Sequence, residues 1–283
     1  MKKMLNLTMF ILVILLSGCK RSESYSILEK IEFNQNGLYC IDKTKDVNSM
    51  LLFGVVNNFN IEEFNELDKS DVYITLVSDD NQEIIFKPEN IEWQQCDSNV
   101  LKNGISMRLN FEKIDFLYPL VIKKVVFNKD KIKIEKKIQN TYIDICSSEK
   151  NGISVMEAPI SPKNEIVINE KYSFAYKILD AKGIITEDLK AEVSYDREFY
   201  KYIDINSVTI LRDEESENQI KEDYKNIITE EELEKIKVYD LRCEYMIKKK
   251  SNIIFQPKII IQFSTIKQEL SPFEPIFFFN SDE

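Results

Sequence analysis

Most of the chain after residue 26 alternates apolar and polar side chains with a period of two. Ile105, Met107 and Leu109 alternate with Ser106 and Arg108, for example. Strands that bury one face show this period, and the β-branched and aromatic residues of these segments favour strands. Similar patterns occupy residues 30–33, 72–77, 83–86, 121–127, 131–137, 142–145, 172–178, 190–195, 202–211, 243–247 and 253–266, and 50–56 form a continuous apolar run. The sequence predicts a mainly β protein.

Polar segments separate the predicted strands. Residues 78–82 and 128–130 are rich in Asp and Asn, which accept turn conformations, and predict hairpins. The polar, turn-rich residues 147–152 predict a linker. We therefore expect two β-sandwich-like domains in tandem, at 27–146 and 153–283.

One stretch departs from the β pattern. Residues 212–235 are densely charged, and Thr229 with Glu232 fits a capping box that opens a short helix to about Lys237. We predict a short helical, acidic excursion on the second domain. Helical spacing of apolar residues also predicts a helix at 61–67.

The N-terminus carries a targeting pattern. Lys2 and Lys3 precede the apolar residues 4–16, a run too short to cross the ~30 Å hydrocarbon core of a bilayer as a helix. Leu16-Ser17-Gly18-Cys19 follows and resembles the lipobox of bacterial lipoproteins. The resemblance implies a signal peptide at 1–18, a diacylglyceryl thioether on Cys19 and a tether at 19–26. It also implies a lipid-anchored protein of the cell membrane or the outer membrane, facing away from the cytoplasm.

A second resemblance concerns the body of the chain. Residues 73–80 and 172–180, each followed by a turn, are similar to the strand-turn-strand of bacterial Ig-like modules. This implies a β-sandwich. Trp93 precedes Cys96 by three residues, which is not the Cys–Trp–Cys order of true immunoglobulin domains.

Composition excludes several classes of function. The net charge of −10 disfavours nucleic acid as a partner, because acidic proteins repel phosphate backbones. The chain has no histidine, which excludes Ser-His-Asp and Cys-His catalysis and histidine-based metal sites. It contains neither GxGxxG nor GxxxxGK[ST]. We expect no cofactor.

Four cysteines remain after Cys19, namely Cys40, Cys96, Cys146 and Cys243. In an exported protein they permit two disulfides with three connectivities. Separate domains would favour Cys40–Cys96 and Cys146–Cys243, and buried reduced thiols are the alternative. Their spacing matches no zinc motif, so we predict no metal site.

Other polar patterns have a stronger structural explanation. Residues 42–48 place oxygen ligands at alternate positions, as a calcium loop does, but lack a glycine at the sixth position and an acid at the twelfth, where Phe53 stands. We predict a polar loop there. The acidic residues 213–222 could hold calcium or a basic partner, but a solvated surface explains them. Ser147 and Lys150 have SxxK spacing, but they lie in the predicted linker without SDN or KTG companions, so we assign no catalytic residue.

The C-terminal residues 272–279 are unusually apolar and predict an edge strand or, if exposed, a docking patch. Together these observations predict a lipid-anchored protein with a non-catalytic binding or structural role, whose partner is a protein or a glycan. We expect the binding face on the second domain. The alternatives are a carboxylate-based hydrolase and a member of an envelope assembly.

Overall fold

The computed structural model describes residues 24–45, 48–57, 59–68, 71–96, 104–112, 114–129, 131–148, 151–157, 167–186, 188–272 and 275–278. The strands β1 to β9 span, in chain order, Ile31–Glu32, Gln35–Asp42, Asn48–Val56, Tyr73–Ser78, Glu83–Phe86, Ile91–Cys96, Gly104–Phe111, Leu120–Lys129 and Ile132–Cys146. The strands β10 to β18 span Ile153–Glu157, Lys171–Asp180, Lys190–Ser194, Ile203–Arg212, Lys237–Ile247, Asn252–Phe255, Lys258–Phe263, Ile266–Leu270 and Ile276–Phe278. The helices α1 to α4 span Ser24–Lys30, Ile61–Asp68, Glu214–Tyr224 and Glu230–Lys235, and 3-10 turns cover Pro88–Asn90 and Arg197–Lys201. The predicted mainly β class is confirmed.

The described strands form four sheets. Sheet A has the order β1-β3-β7-β6, and sheet B the order β18-β15-β2-β9-β8-β4-β5. Sheet C has the order β10-β11-β14-β13, and sheet D the order β12-β16-β17. Strand β2 lies in sheet B between two parallel neighbours, β15 and β9, and the other pairs in the four sheets are antiparallel.

Two hydrophobic cores meet at the centre of sheet B. The first core fills the space between sheets A and B, and the second lies between the β18-β15-β2 part of sheet B and sheets C and D. Strand β2 is buried along its whole length. Its Tyr39 and Ile41 face the first core, whereas Leu38 faces the second. Because side chains alternate across a strand, one strand contributes to both cores.

Strands from both predicted domains share sheet B. Strands β15 and β18 follow the predicted linker at 147–152 in the chain, yet β15 pairs with β2, from Asn252 opposite Gln35 to Phe255 opposite Leu38. Backbone hydrogen bonds therefore cross the boundary between 27–146 and 153–283. The division into two tandem domains stays a prediction, and the sheets do not divide at that point.

Two differences from the predicted strands have local causes. The strands predicted at 131–137 and 142–145 form one long strand, β9, from Ile132 to Cys146, which pairs first with β8 and then also with β2. The predicted strand at 253–266 is broken at Gln256 and Pro257. Gln256 N donates to Leu38 O at 2.8 Å, and Pro257 has no N–H for a ladder. The chain therefore leaves sheet B there and enters sheet D.

The predicted turn at 78–82 and the predicted helices are present, whereas Asp130 of the predicted turn at 128–130 lies outside the described residues. Ser78 N donates to Gln82 O at 3.0 Å across the hairpin turn, in which Asn81 adopts a positive φ of 65°. Thr229 and Glu232 form the predicted capping box, and α4 ends at Lys235, slightly before the expected Lys237. Helix α2 confirms the helix predicted at 61–67.

Candidate functional site

The predicted lipidation residue, Cys19, lies outside the described residues, as does the predicted signal peptide at 1–18. The described chain begins with α1 at Ser24, inside the predicted tether at 19–26. Ile27 and Leu28 of this helix are 0% and 1% exposed in the first core, so burial of apolar side chains orders these residues as helix. Five residue steps from Cys19 to Ser24 span at most about 18 Å. A lipid on Cys19 would therefore hold the first core near the membrane surface.

Helix α1 is fixed to the rest of the first core. Lys30 Nζ donates to both carboxylate oxygens of Glu63 on α2, at 3.1 and 3.0 Å. Strand β1 continues from α1 and pairs with β3, where Ile31 lies opposite Val56. A Cβ added to Gly54 of β3 would lie 2.5 Å from Ile31 Cγ2, so a side chain there would push the segment away. Helix α1 is thus part of the folded body.

All four predicted disulfide cysteines are free thiols in the structure. Cys40 on β2 and Cys146 on β9 lie on the same face of neighbouring strands, since Cys40 aligns with Asp144. The pKa of the Cys40 thiol is raised, mainly by a hydrogen bond with the Cys146 thiol and to a lesser extent by burial. Cys96 lies on β6 in sheet A, and Cys243 on β14 in sheet C. The structure therefore brings together Cys40 and Cys146 instead of the expected Cys40–Cys96 pair.

The loop with calcium-like spacing is held by its own hydrogen bonds. Asp42 Oδ1 accepts from Thr44 N at 3.0 Å and from Thr44 Oγ1 at 2.7 Å, and Oδ2 accepts from Ser148 Oγ. Asn48 Nδ2 donates to the carbonyls of Asp42 and Lys45. Burial alone would raise the pKa of Asp42, but the bonds from Ser148 and Thr44 outweigh it and lower the pKa. The carboxylate of Asp42 therefore has a structural role: its hydrogen bonds connect the loop after β2 to the residues at the end of β9.

Only the serine of the SxxK spacing lies in the described part of the chain. Ser147 is described and exposed, whereas Lys150 lies outside the described residues. The hydroxyl of the intervening Ser148 is bound to Asp42. Nothing in the described part of this segment resembles an activated nucleophile.

The acidic excursion is built from internal ion pairs. Glu217 on α3, whose side chain is 4% exposed, accepts from Arg212 Nε and Nη2, each at 2.9 Å, and from Lys221 Nζ at 2.6 Å. Burial alone would raise the pKa of Glu217, but these bonds lower it. Asp213 caps α3 and pairs with Lys177 of β11. Among the described residues, no group of three or more Cys, Asp or Glu side chains could hold a metal ion.

One surface groove contains several carboxylates. It has a volume of about 300 Å³ and lies between β5 and the end of β7, lined by Glu83, Glu112 and Asp115 among others. Hydrogen bonds from Asn90 and Lys87 lower the pKa of Glu112. A glycosidase general acid needs the opposite shift. Glu112 therefore does not have the raised pKa that the hydrolase alternative would require of a general acid.

A larger cleft, of about 460 Å³, lies between β12 and β13. Both strands are at the edge of their sheets, D and C. The cleft is lined by Ala191, Glu192, Val193, Tyr195, Tyr200, Asp204, Ile205, Asn206, Ser207 and Val208. The sequence does not predict a site at these residues, because their alternation on β12 and β13 is typical of ordinary strands. The signal available was the pair of tyrosines in the short segment between the two strands.

No helix of the described chain is both long and apolar enough to cross a membrane. No protein-family model matches the chain, and no curated protein does. Among solved structures, a marsupial T cell receptor aligns at 12% identity and a TM-score of 0.25, over 86% of this chain and 62% of the receptor chain. The chain thus spans less than two thirds of that structure. A similarity this weak carries no argument, so the β class rests on the strands described above.

Proposed function

We propose that this protein is a lipid-anchored lipoprotein of the bacterial cell envelope with a non-catalytic binding or structural role. The observation that carries the proposal is the lipobox-like Leu16-Ser17-Gly18-Cys19 directly after a charged and apolar leader. Cleavage before Cys19 and acylation of its thiol would place the chain on the outer side of a membrane. Each buried CH₂ of a lipid contributes about 0.8 kcal/mol, so two or three chains give stable anchoring.

The position of α1 supports this proposal. The body begins within five residues of Cys19, and α1 and α2 are joined through Lys30 and Glu63. A lipid on Cys19 would keep this side of the first core at the membrane. The cleft between β12 and β13 borders the second core, on the other side of β2. The proposal thus assigns attachment to one half of the molecule and leaves the other half to face outward.

Metabolic labelling with an alkyne fatty acid tests the proposal. The full chain is expressed in a bacterium as wild type, as Cys19→Ser and as the matched control Cys96→Ser. We expect label, cleavage after Gly18 and partition into a detergent phase for wild type and for Cys96→Ser. Cys19→Ser should lose the label and accumulate as an uncleaved precursor. A wild-type chain that is cleaved but unlabelled would refute the proposal.

A further inference from the structure

The cleft between β12 and β13 has a fixed aromatic wall. Tyr195 and Tyr200 contact edge to face, with ring centroids 4.7 Å apart and planes at 75°. The Tyr195 hydroxyl donates to Ile203 O at 3.3 Å and accepts from Ile205 N at 3.2 Å. These bonds hold the Tyr195 ring against β13, and Tyr195 in turn supports Tyr200, which is 48% exposed. The exposed ring of Tyr200 therefore packs against a Tyr195 ring that is itself fixed by hydrogen bonds.

Polar side chains surround this ring. The register of β13 against β14 shifts between Ile205 and Ser207, so Asn206 is the extra residue of a bulge, and it is exposed. Bulges redirect side chains, often beside binding sites. Asp204 accepts from Lys248 Nζ at 2.8 Å, and a carboxylate has about four acceptor positions, so it can accept further bonds. Glu192 of β12 lines the same cleft.

The chemistry of the lining selects among ligands. Among the described residues, two carboxylates and no lysine or arginine line the cleft, which disfavours an anionic ligand. The bulge at Asn206 interrupts the edge of β13, and interrupted edges resist the addition of a peptide strand. Amide, carboxylate and hydroxyl groups can instead accept from and donate to hydroxyls, while the negative face of Tyr200 attracts polarised C–H groups.

We infer that this cleft binds a neutral oligosaccharide, with a sugar ring stacked on Tyr200 and its hydroxyls bound by Asp204, Asn206 and Glu192. The inference rests on the proposed envelope location for the presence of such a ligand. The proposed binding surface lies beside the second core, whereas α1 packs in the first core.

Saturation-transfer NMR with the full-length lipidated protein, in a detergent without a sugar head group, tests the inference. The probes are chitohexaose, cellohexaose and maltohexaose. We expect saturable binding of at least one probe and about a tenfold loss of affinity in Tyr200→Ala, which corresponds to about 1.4 kcal/mol. Tyr224→Ala is the matched control, because Tyr224 on α3 is also 48% exposed but does not line the cleft. Asn206→Ala should weaken binding by a smaller factor, and near-UV circular dichroism checks that each variant is folded.

Three results would overturn the inference. They are the absence of saturable binding for all three probes, equal affinities of Tyr200→Ala and Tyr224→Ala, and binding of a pooled octapeptide library that Tyr200→Ala abolishes while no saccharide binds. Cys19→Ser separates this inference from the proposed anchor. It should lose fatty-acid label yet keep saccharide affinity, so failure of one hypothesis is distinguishable from failure of the other.

Discussion

The two cores on either side of β2 bury tyrosine in different ways. Aliphatic residues and phenylalanine dominate the first core, where Tyr39 is fully buried and donates to Leu51 O at 2.5 Å. The second core contains several tyrosines, among them Tyr176, which is fully buried and whose hydroxyl has no hydrogen-bond partner among the described residues. A buried hydroxyl without a partner costs about 1–3 kcal/mol. The hydroxyl of Tyr39 in the first core is thus hydrogen-bonded, whereas that of Tyr176 in the second core has no partner among the described residues.

This difference agrees with the proposed division of labour. Helix α1 packs on the first core, and under the proposal a lipid on Cys19 would hold this core at the membrane. The second core borders the cleft. Tyrosine side chains occur both in the interior of this core and on its surface, where Tyr200 is exposed. Strand β2 thus joins two cores that differ in how they hold a buried tyrosine hydroxyl, and four experiments test this difference and the connection between the cores.

The largest expected effect concerns β2, which serves both cores. Ile41→Ala removes a side chain from the first core and Leu38→Ala one from the second, and each is 1% exposed in the wild type. Each substitution should lower the free energy of unfolding by about 2–5 kcal/mol. Urea unfolding followed by Trp93 fluorescence, which reports on the first core, and by tyrosine near-UV circular dichroism should give one common midpoint.

Ile85→Ala serves as the control, because Ile85 is 62% exposed and such a change should stay within about 0.5 kcal/mol. Separate midpoints for the two probes would show that the cores unfold independently. That result would restore the tandem arrangement expected from the linker at 147–152.

The second prediction concerns the thiols on β2 and β9. Under a disulfide oxidant such as oxidised glutathione, Cys40 and Cys146 should cross-link in preference to Cys40 and Cys96, because they are in contact. The bridge would close a loop of roughly 100 residues, for which a chain-entropy model gives up to about 5 kcal/mol of stabilisation. Peptide mapping without reduction identifies the bridge, and urea midpoints with and without reductant measure its effect.

Cys243→Ser should leave this cross-link unchanged, since Cys243 lies in sheet C. A Cys40–Cys96 bridge would contradict the structure, because Cys96 packs against the first core whereas Cys40 alternates with Tyr39 and Ile41, which face that core. Either outcome decides between the pairing expected from separate domains and the pairing expected from a shared sheet.

Local pattern was sufficient for much of the fold. The alternation in β7, the turn after Ser78 and the capping box at Thr229 were all visible in the sequence, because each depends on residues close in the chain. Strand β2 was missed. Its burial on both faces removes the alternation, and Asn36-Gly37 looks like a turn.

Long-range pairing and the cleft were beyond local pattern. The parallel contacts of β2 with β9 and β15 join residues more than a hundred positions apart, such as Leu38 with Tyr142 and Phe255. The cleft combines Glu192, Tyr200 and Asn206 from two sheets and the segment between them. The bulge that exposes Asn206 depends on the register against β14, which no spacing within β13 reveals.

The third prediction concerns the ion pair between Asp213 and Lys177, which connects the helical excursion to β11 of the second core. Hydrogen bonds from Lys177 and Ser216 lower the pKa of Asp213 to about 2, from an ordinary value of 3.8. A carboxyl with a lowered folded-state pKa stabilises the fold above its unfolded pKa and loses this effect as pH falls through its folded pKa. Asp213→Asn, which keeps a good cap for α3, should therefore lower stability by about 1 kcal/mol at pH 7, and the difference should shrink between about pH 4 and pH 2.

Urea midpoints of both proteins across this range provide the measurement. Glu231→Gln is the control, because Glu231 lies on α4 and its partner, Lys235, is on the same helix. A stability difference that does not change with pH would mean that the charge of Asp213 does not hold the excursion to β11.

The smallest expected effect concerns the hydroxyls of Tyr39 and Tyr176. Tyr39→Phe should lower the free energy of unfolding by about 1 kcal/mol, because Leu51 O loses its donor. Tyr176→Phe removes a hydroxyl for which no described group accepts, so it should be neutral or stabilise the fold by up to about 1 kcal/mol. Paired urea titrations of the two variants at one pH measure the difference in sign. If Tyr176→Phe costs as much as Tyr39→Phe, the Tyr176 hydroxyl has a partner in solution, and the two cores satisfy their tyrosines alike.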